Sequence, residues 1–290
     1  MRWILILACM AIQLAWAQEM SQIEEIVGIK GTWYADESVY KITIPRRDVK
    51  VIVDQRPLSP FMGLSSWVSF KKIDDSFLAM GDLMLFEDEV NPVMKTILAH
   101  GFSVTALHNH FFYDHPKVFF MHIMGKGSEQ TLGNALKQSL DQIKEIRTKK
   151  RTPASSFEGP VVAYKNAITK RIVDEILGVE TQEQEGMVKA VFGRTLQMEE
   201  TKLGKQMGIN SWAAFGGTDE KALVDGDLAV LEDELQSVVT SLQGAGIHIV
   251  AIHNHMNHEN PRMLFVHYWG KGAVKDLAKA VKETTLVHSQ

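Results

Sequence analysis

Six histidines fall into two sets with the same spacing, and imidazole is a common ligand of transition metals. In each set two histidines flank an asparagine, and a third follows further along the chain. The two sets are His108, His110, His122 and His253, His255, His267. Three imidazoles that leave a fourth position open are one way in which proteins hold catalytic zinc. The sequence therefore predicts a divalent transition metal as the cofactor of each set, with zinc first and copper or iron as alternatives.

The spacing of the first set predicts that its members converge on one face of a β-hairpin. His108 and His110 are two residues apart, so on a strand their side chains leave the same face. A hairpin centred near His115 would set His108 opposite His122, and His110 opposite Phe120. Cross-strand neighbours are about 5 Å apart at Cβ, so the three rings would meet.

The second set has the same spacing, so the same hairpin would place His253 opposite His267, with His255 beside them. Two alternatives to a metal remain open. The histidines could form a hydrogen-bonded polar cluster, or they could act as acid or base in a substrate site.

Carboxylates recur near both sets. Glu87 and Glu232 end a predicted strand and open a predicted helix, where acidic residues suit the helix dipole. The alternative is a catalytic role, as a fourth ligand or as a general base beside the metal. Asp82 and Asp227 follow a glycine, which favours a turn, with metal ligation or support of the ligands as the alternative.

Two lysines and two tryptophans are further candidates. Lys126 and Lys271 lie between glycines just before a predicted helix. They could help to bind an anionic ligand at the helix N-terminus, although a structural turn is the competing interpretation. Trp67 and Trp212 are expected in the core, with stacking on a sugar as the alternative.

The histidine sets belong to a long internal repeat. A shift of 145 residues lays 62–127 on 207–272 without a gap, and about 25 of these 66 positions are identical. A polar stretch at 148–160 separates the copies and is predicted to be a linker. The predicted domains are therefore a first repeat at 18–147 and a second at 161–290.

Hydrophobic periodicity within one repeat alternates between the strand and helix patterns. Strands are predicted at 39–44, 49–53, 67–70, 77–86, 103–110 and 118–124, and helices at 21–27, 88–100 and 128–146. A tight turn that contains Pro116 should join the last two strands. Because hairpin-linked strands are interspersed with helices, we predict an α+β fold with a mainly antiparallel sheet and flanking helices, duplicated in tandem.

Residues 1–17 have the pattern of a secretory signal peptide. Arg2 precedes the apolar run 3–14, and Ala-Trp-Ala at 15–17 fits the cleavage rule, so the mature chain should begin near Gln18. An uncleaved anchor is the alternative. Cys9 is the only cysteine, so the mature chain would offer no thiolate ligand. We expect a periplasmic or secreted protein with no transmembrane span in the mature chain.

The composition narrows the classes of partner. The chain has 290 residues, is 45% hydrophobic and carries a formal charge of −4. It is therefore long and apolar enough to form two domains, each with its own hydrophobic core. Basic residues do not form a stripe with interleaved aromatics, which argues against nucleic acid. A small-molecule or envelope substrate is expected instead.

Several motifs together resemble a known family. They are Gly-Leu-Ser-Ser-Trp at 63–67, Gly-Asp-Leu at 81–83, Glu-Asp-Glu-Val-Asn-Pro-Val at 87–93, Val-Thr-Ala-Leu-His-Asn-His at 104–110 and Phe-Phe-Met-His at 119–122. The pattern is similar to the LppY/LpqO family of exported bacterial proteins, many of them lipoproteins, which is classed as a domain of unknown function. The resemblance implies export and two repeats, and it implies no reaction or substrate. This chain departs from the lipoprotein members because it has no convincing lipobox.

Three functional hypotheses follow. The first is a metal-dependent hydrolase of the cell envelope, in which the histidines hold the metal and Glu87 or Glu232 handles protons. The second is a periplasmic metal-binding protein without catalytic activity. The third is a metal-free module that binds a small ligand.

Overall fold

The structure, a computed structural model, describes residues 22–286. The predicted signal peptide lies outside these residues. The chain folds as two compact units, one formed mainly by residues up to 155 and the other mainly by residues after 155. Both combine helices with antiparallel strands, which confirms the predicted α+β fold and its tandem duplication. The predicted domain and linker bounds stay predictions.

The first repeat begins with a helix, α1, over residues 22–27. Its strands are β1 (Thr32–Tyr34), β2 (Val39–Pro45), β3 (Ile52–Val53), β4 (Arg56–Pro57), β5 (Ser65–Ile73), β6 (Ser76–Phe86), β7 (Phe102–His108), β8 (Asp114–His115) and β9 (Val118–Gly127). Its other helices are α2 (Glu87–Ala99) and α3 (Glu129–Lys149), and a 3₁₀ turn spans Pro60–Met62.

From α4 (Lys170–Leu177) onwards the second repeat has the same order of elements, except that no counterpart of β8 lies between its last two strands in the described part of the chain. Its strands are β10 (Gln182–Gln184), β11 (Met187–Gly193), β12 (Leu196–Met198), β13 (Thr201–Leu203), β14 (Asn210–Gly217), β15 (Ala222–Leu231), β16 (His248–His253) and β17 (Met263–Gly272). Helices α5 (Leu235–Gly244) and α6 (Val274–Leu286) and a 3₁₀ turn at Lys205–Met207 complete it. Within residues 22–286, no helix combines the length and apolar character that crossing a bilayer requires.

Each repeat builds its sheet in the same spatial order. The order is β1-β2-β5-β6-β9-β7 in the first repeat and β10-β11-β14-β15-β17-β16 in the second. The longest strand pairs, β6 with β9 and β15 with β17, are antiparallel and lie towards the middle. These pairs carry the Gly-Asp-Leu motif and the last histidine of each set.

The helices cover one face of each sheet. In the first repeat α2 and α3 pack on β6 and β9, and apolar side chains such as Leu83, Met121 and Ile123 are buried there. Helix α1 reaches this layer too, because Ile26 lies against Gly133 of α3. In the second repeat α5 and α6 pack on β15 and β17. The residues that alternate with this buried set therefore leave the opposite face of the sheet.

A small cover lies over part of that opposite face. In the first repeat, strands β3, β4 and β8 form a three-stranded sheet. A buried cluster beneath it includes Val51, Leu64, Phe86 and Phe120. In the second repeat the hairpin β12–β13 is its counterpart, and the buried cluster there includes Leu196 and Phe265.

The connection between β7 and β9 is not the tight turn that the sequence predicted. Residues 109–117 form a long excursion, and its strand β8 pairs with β3. Asp114 anchors this excursion, because its buried carboxylate accepts hydrogen bonds from Lys117 Nζ and from the Val118 backbone N–H. The predicted strand 49–53 is correspondingly reduced to Ile52–Val53.

A buried ionic network explains part of the Glu-Asp-Glu motif. Glu89, fully buried at 0% exposure, accepts two hydrogen bonds from the guanidinium of Arg46. The same carboxylate accepts the Phe86 backbone N–H at the start of α2 and lies 2.9 Å from Arg147 Nε. Arg46 also donates to the Met84 carbonyl. One carboxylate thus ties together a strand end, a helix start and two cations.

The second repeat keeps the central part of this network. Arg194 donates to both carboxylate oxygens of Glu234 and to the Ala229 carbonyl, and Glu234 accepts the Leu231 backbone N–H. Glu234 and Ala229 are the residues 145 positions after Glu89 and Met84. The third acid of the motif is therefore a structural residue in both repeats.

We predict that Glu89→Gln lowers the free energy of unfolding by about 1.5–3 kcal/mol, because it removes the buried charge that Arg46 and Arg147 share and leaves each guanidinium with one carboxylate, Asp48 or Asp88. Urea denaturation of the full chain measures the change. Asp141→Asn is the matched control, since it breaks only an exposed ion pair with Lys137 and should cost less than about 1 kcal/mol. Equal effects of the two substitutions would contradict the structural role given to Glu89.

Candidate metal centre

The candidate site of the second repeat is a row of side chains on the sheet face that the helices leave open. Asp227 of β15 pairs directly with His267 of β17, and on its other side with Trp212 of β14. Directly paired residues point to the same face, with Cβ atoms about 5 Å apart. The row therefore places an indole, a carboxylate and an imidazole side by side.

The other two histidines join this row from the end of β16. His253 is the last residue of that strand, and its ring stacks against His267 with 5.0 Å between centroids and 4° between planes. His255 lies just beyond the strand, 5.1 Å from His253 between ring centroids. The structure thus brings His253, His255 and His267 together, as the spacing predicted.

The register behind this cluster differs from the prediction by two residues. His253 pairs with Phe265, and His267 pairs with Ala251, past an irregularity in β16. The predicted pairing of His253 with His267 is therefore wrong. The two rings meet along the diagonal between neighbouring pairs, which side chains of this length can bridge.

The acid at the centre of the cluster is Asp227, whose side chain is 5% exposed. Its Oδ2 lies 3.6 Å from His255 Nε2 and 3.8 Å from His267 Nε2. Both distances are too long for hydrogen bonds. Its Oδ1 is buried and has no hydrogen-bond partner within the part of the chain that the structure describes.

Backbone and aromatic contacts orient the surrounding rings. The Nδ1 of His267 lies 3.3 Å from the Gly226 carbonyl, so a proton on Nδ1 would leave the Nε2 lone pair directed towards Asp227. The ring of His255 stacks on buried Phe265, with centroids 3.4 Å apart. Hydrogen bonding of the remote ring nitrogen is the usual support of a metal-bound histidine.

Burial and mutual electrostatics act on the titrating groups in opposite directions. Burial raises the pKa of Asp227, and the nearby His267, His253 and His255 oppose that rise. Burial also lowers the pKa of His253, against the opposing effect of Asp227. A neutral imidazole is the form that binds metal.

These donors suit a divalent metal. One ligand atom from each of Asp227, His253 and His267 lies within 4.8 Å of the others. Two ligands of a tetrahedral zinc ion, each about 2.0–2.1 Å from it, are about 3.4 Å apart, so the Asp227 distances to His255 and His267 need only a small contraction. A buried carboxylate oxygen without a partner is a further sign that a cation fits here.

The first repeat has the same pattern of residues. Asp82 of β6 pairs directly with His122 of β9 and with Trp67 of β5. The ring of His110 stacks on Phe120 with centroids 3.3 Å apart, as that of His255 does on Phe265. His108 ends strand β7 as His253 ends β16. The metal role predicted for His108, His110 and His122 stays a prediction.

The glutamates that were predicted as catalytic lie away from the histidine row. Glu232 is exposed and follows β15, five residues after Asp227, which corresponds to about 16 Å along a strand. Glu87 is likewise exposed and opens α2, five residues after Asp82. Their catalytic role stays a prediction, and Asp82 and Asp227 occupy the position next to the histidines.

The predicted ligand-binding lysines lie on strands and not in turns. Lys126 is exposed in β9, and Lys271 lies in β17 with its Nζ 3.3 Å from the Phe157 carbonyl. Both are four residues past the last histidine, on the same strand face. They therefore mark the far end of the open face, about 13 Å from the histidine row.

Sequence reasoning misjudged two features of the row. The favoured interpretation of Asp82 and Asp227 as turn residues is wrong, because both lie in the middle of long strands. Trp67 and Trp212 are half-buried beside the site and not in the core, and a lysine ammonium lies over each ring at 4.4 and 4.2 Å. One signal in the sequence could have corrected this interpretation. Both aspartates recur at equivalent positions of a repeat that also carries the histidines.

Comparison with known proteins identifies the family. Residues 21–142 and 171–286 each match the family described as Domain of Unknown Function (DUF1259). The two matches cover most of the chain, which therefore belongs to this family as a two-repeat member. No curated protein and no solved structure matches the chain.

We predict that Gly226→Ala disrupts the second site through packing. A Cβ at this position would lie 2.2 Å from the ring of buried Tyr268 and 2.5 Å from the Trp212 carbonyl. Overpacking of this kind costs about 1–3 kcal/mol or more, which urea denaturation would detect. Gly244→Ala, at a helix end with open space around it, is the control. An unchanged stability of Gly226→Ala would refute this packing argument.

Proposed function

We propose that this chain is an exported protein that binds a divalent transition metal in each repeat, zinc first, and uses it for hydrolysis of an envelope substrate. The ligands in the second repeat would be Asp227, His253 and His267, with His255 as the fourth donor or as a neighbour of the substrate. In the first repeat the equivalent residues are Asp82, His108, His110 and His122.

One observation carries the proposal. The carboxylate of Asp227 is buried against His255 and His267 at distances that exceed hydrogen bonding, and its Oδ1 has no hydrogen-bond partner among residues 22–286. Burying a charge without compensation is costly, and paired or metal-bound carboxylates avoid that cost. Purely structural clusters normally close such gaps with direct hydrogen bonds.

The chain's own residues would position a reaction at this centre. A bound divalent metal supplies Lewis acidity that polarises a carbonyl or phosphoryl oxygen. Trp212 flanks His267 edge-on at 6.4 Å between ring centroids, which limits access to that side of the imidazole. His255 and His267 are 35% and 40% exposed at their side chains, so a substrate can approach from the open face.

Metal content tests the proposal. Untagged full-length protein from its native compartment should contain about two equivalents of one transition metal, as measured by inductively coupled plasma mass spectrometry. Asp227→Ala should remove about one equivalent, because it removes the donor that the histidines surround. The double substitution of His108 and His253 by alanine should remove both.

A histidine from the same segment provides the control. His258 is exposed in the connection between β16 and β17, and His258→Ala should keep full metal content. Native protein that holds no metal and takes up none from zinc, copper or iron would overturn the metal role. Metal uptake without hydrolysis of any ester, amide or phosphoester in a broad screen would reduce the proposal to metal binding.

Export and the finer family relationship belong to the same proposal. We infer cleavage after residue 17 from the signal-like sequence, and a periplasmic or secreted location from export. The motifs shared with the LppY/LpqO family support this inference. Intact-mass measurement of the native protein should give a chain that begins near Gln18, and a mass that includes residues 1–17 would contradict cleavage.

A further inference from the structure

The open face of the first repeat changes character just beyond the histidine row. The next row towards the end of β9 pairs Met80 directly with Met124. These side chains are 51% and 41% exposed. Both lie on the same face as Asp82 and His122, because each is two residues away along its strand.

Positive charge borders this apolar row. The third row pairs Leu78 with Lys126 on one side and with Lys71 on the other. Both lysines are exposed and Leu78 is half-buried. From the end of the sheet inwards, the face therefore presents two lysines on either side of Leu78, then the two methionines, and then the histidine row.

The second repeat does not share this arrangement, although its histidine row is the same. Asp225 and Trp269 occupy the positions of Met80 and Met124, and Gly216 occupies that of Lys71. Phe157 stacks on Trp269 at 5.9 Å between ring centroids, and its carbonyl oxygen lies within reach of Lys271. The exposed methionine pair next to two lysines is thus a property of the first repeat.

We propose that the first repeat binds a monomeric anionic amphiphile with an unbranched alkyl chain. The lysines attract its acidic head group, and the chain lies over Leu78, Met80 and Met124 towards His122. Exposed apolar patches next to polar groups are typical of ligand sites, and methionine adapts its shape to flexible chains. The proposal rests on the proposed function and deepens it, since a substrate of this class would carry its hydrolysable bond at the end of the alkyl chain that lies beside His122.

Chain length and charge can be tested separately. Isothermal titration of the metal-loaded full chain with n-alkyl carboxylates from butanoate to decanoate, each below its aggregation concentration, should show one site per chain. Affinity should rise up to about fourfold for each methylene that packs on the apolar row.

Two sets of variants separate the head group from the chain. Lys71→Gln with Lys126→Gln should weaken every homologue by a similar factor and leave the dependence on chain length unchanged. Met80→Ser with Met124→Ser should reduce that dependence to less than about twofold per methylene. Met187→Ser, which changes an exposed methionine of the second repeat, should behave like the native chain.

The outcomes distinguish this inference from the metal hypothesis. A native chain without dependence on alkyl length, or a dependence that survives the double methionine substitution, would overturn the inference. The metal content of the same samples judges the proposed function independently. Binding that keeps its length dependence in metal-free protein would support the amphiphile site and speak against a metal role in holding the ligand.

Discussion

The direct pairing of an aspartate with a histidine across two long antiparallel strands is the constraint on which the candidate site depends. Asp227 faces His267, and Asp82 faces His122. A slip of one residue would move every side chain of a strand to the other face of the sheet, which would bury the imidazole under the helices. The metal hypothesis therefore requires that the strands keep this register, and much of the repeated sequence serves to fix it.

Two sets of contacts hold the register of β15, one in the middle of the strand and one at its end. Gly226 allows Tyr268 to cross close beneath the strand, where its hydroxyl donates to the Trp212 carbonyl. At the strand's end, Glu234 and Arg194 clamp the start of the next segment to the Ala229 carbonyl. Each set of contacts satisfies buried polar groups that would otherwise be costly. Much of the motif sequence around the site thus has a structural role, and the aspartate and the histidines are left as the candidates for chemistry.

The histidine spacing, the duplication and the α+β class could be predicted because they follow from periodicity and identity within the sequence. The register could not, since the irregular connection over residues 254–262 between β16 and β17 gives no periodic signal that fixes where the hairpin turns. The aspartates were misjudged because a glycine followed by a carboxylate usually marks a turn. Burying that carboxylate in a strand becomes reasonable only once the imidazoles opposite it are known.

The two repeats have the same residues in the histidine row and different residues in the neighbouring row. If both rows hold a metal as proposed, the histidine row recurs because its donors must converge within a few ångströms, and each replacement would remove a ligand. The neighbouring row has no such requirement, and it holds two methionines in one repeat and an aspartate with a tryptophan in the other. Because side chains on adjacent rows of one face are neighbours, that second row controls what approaches the first. Under the proposed function, two sites with the same donors would therefore serve ligands of different chemistry within one chain.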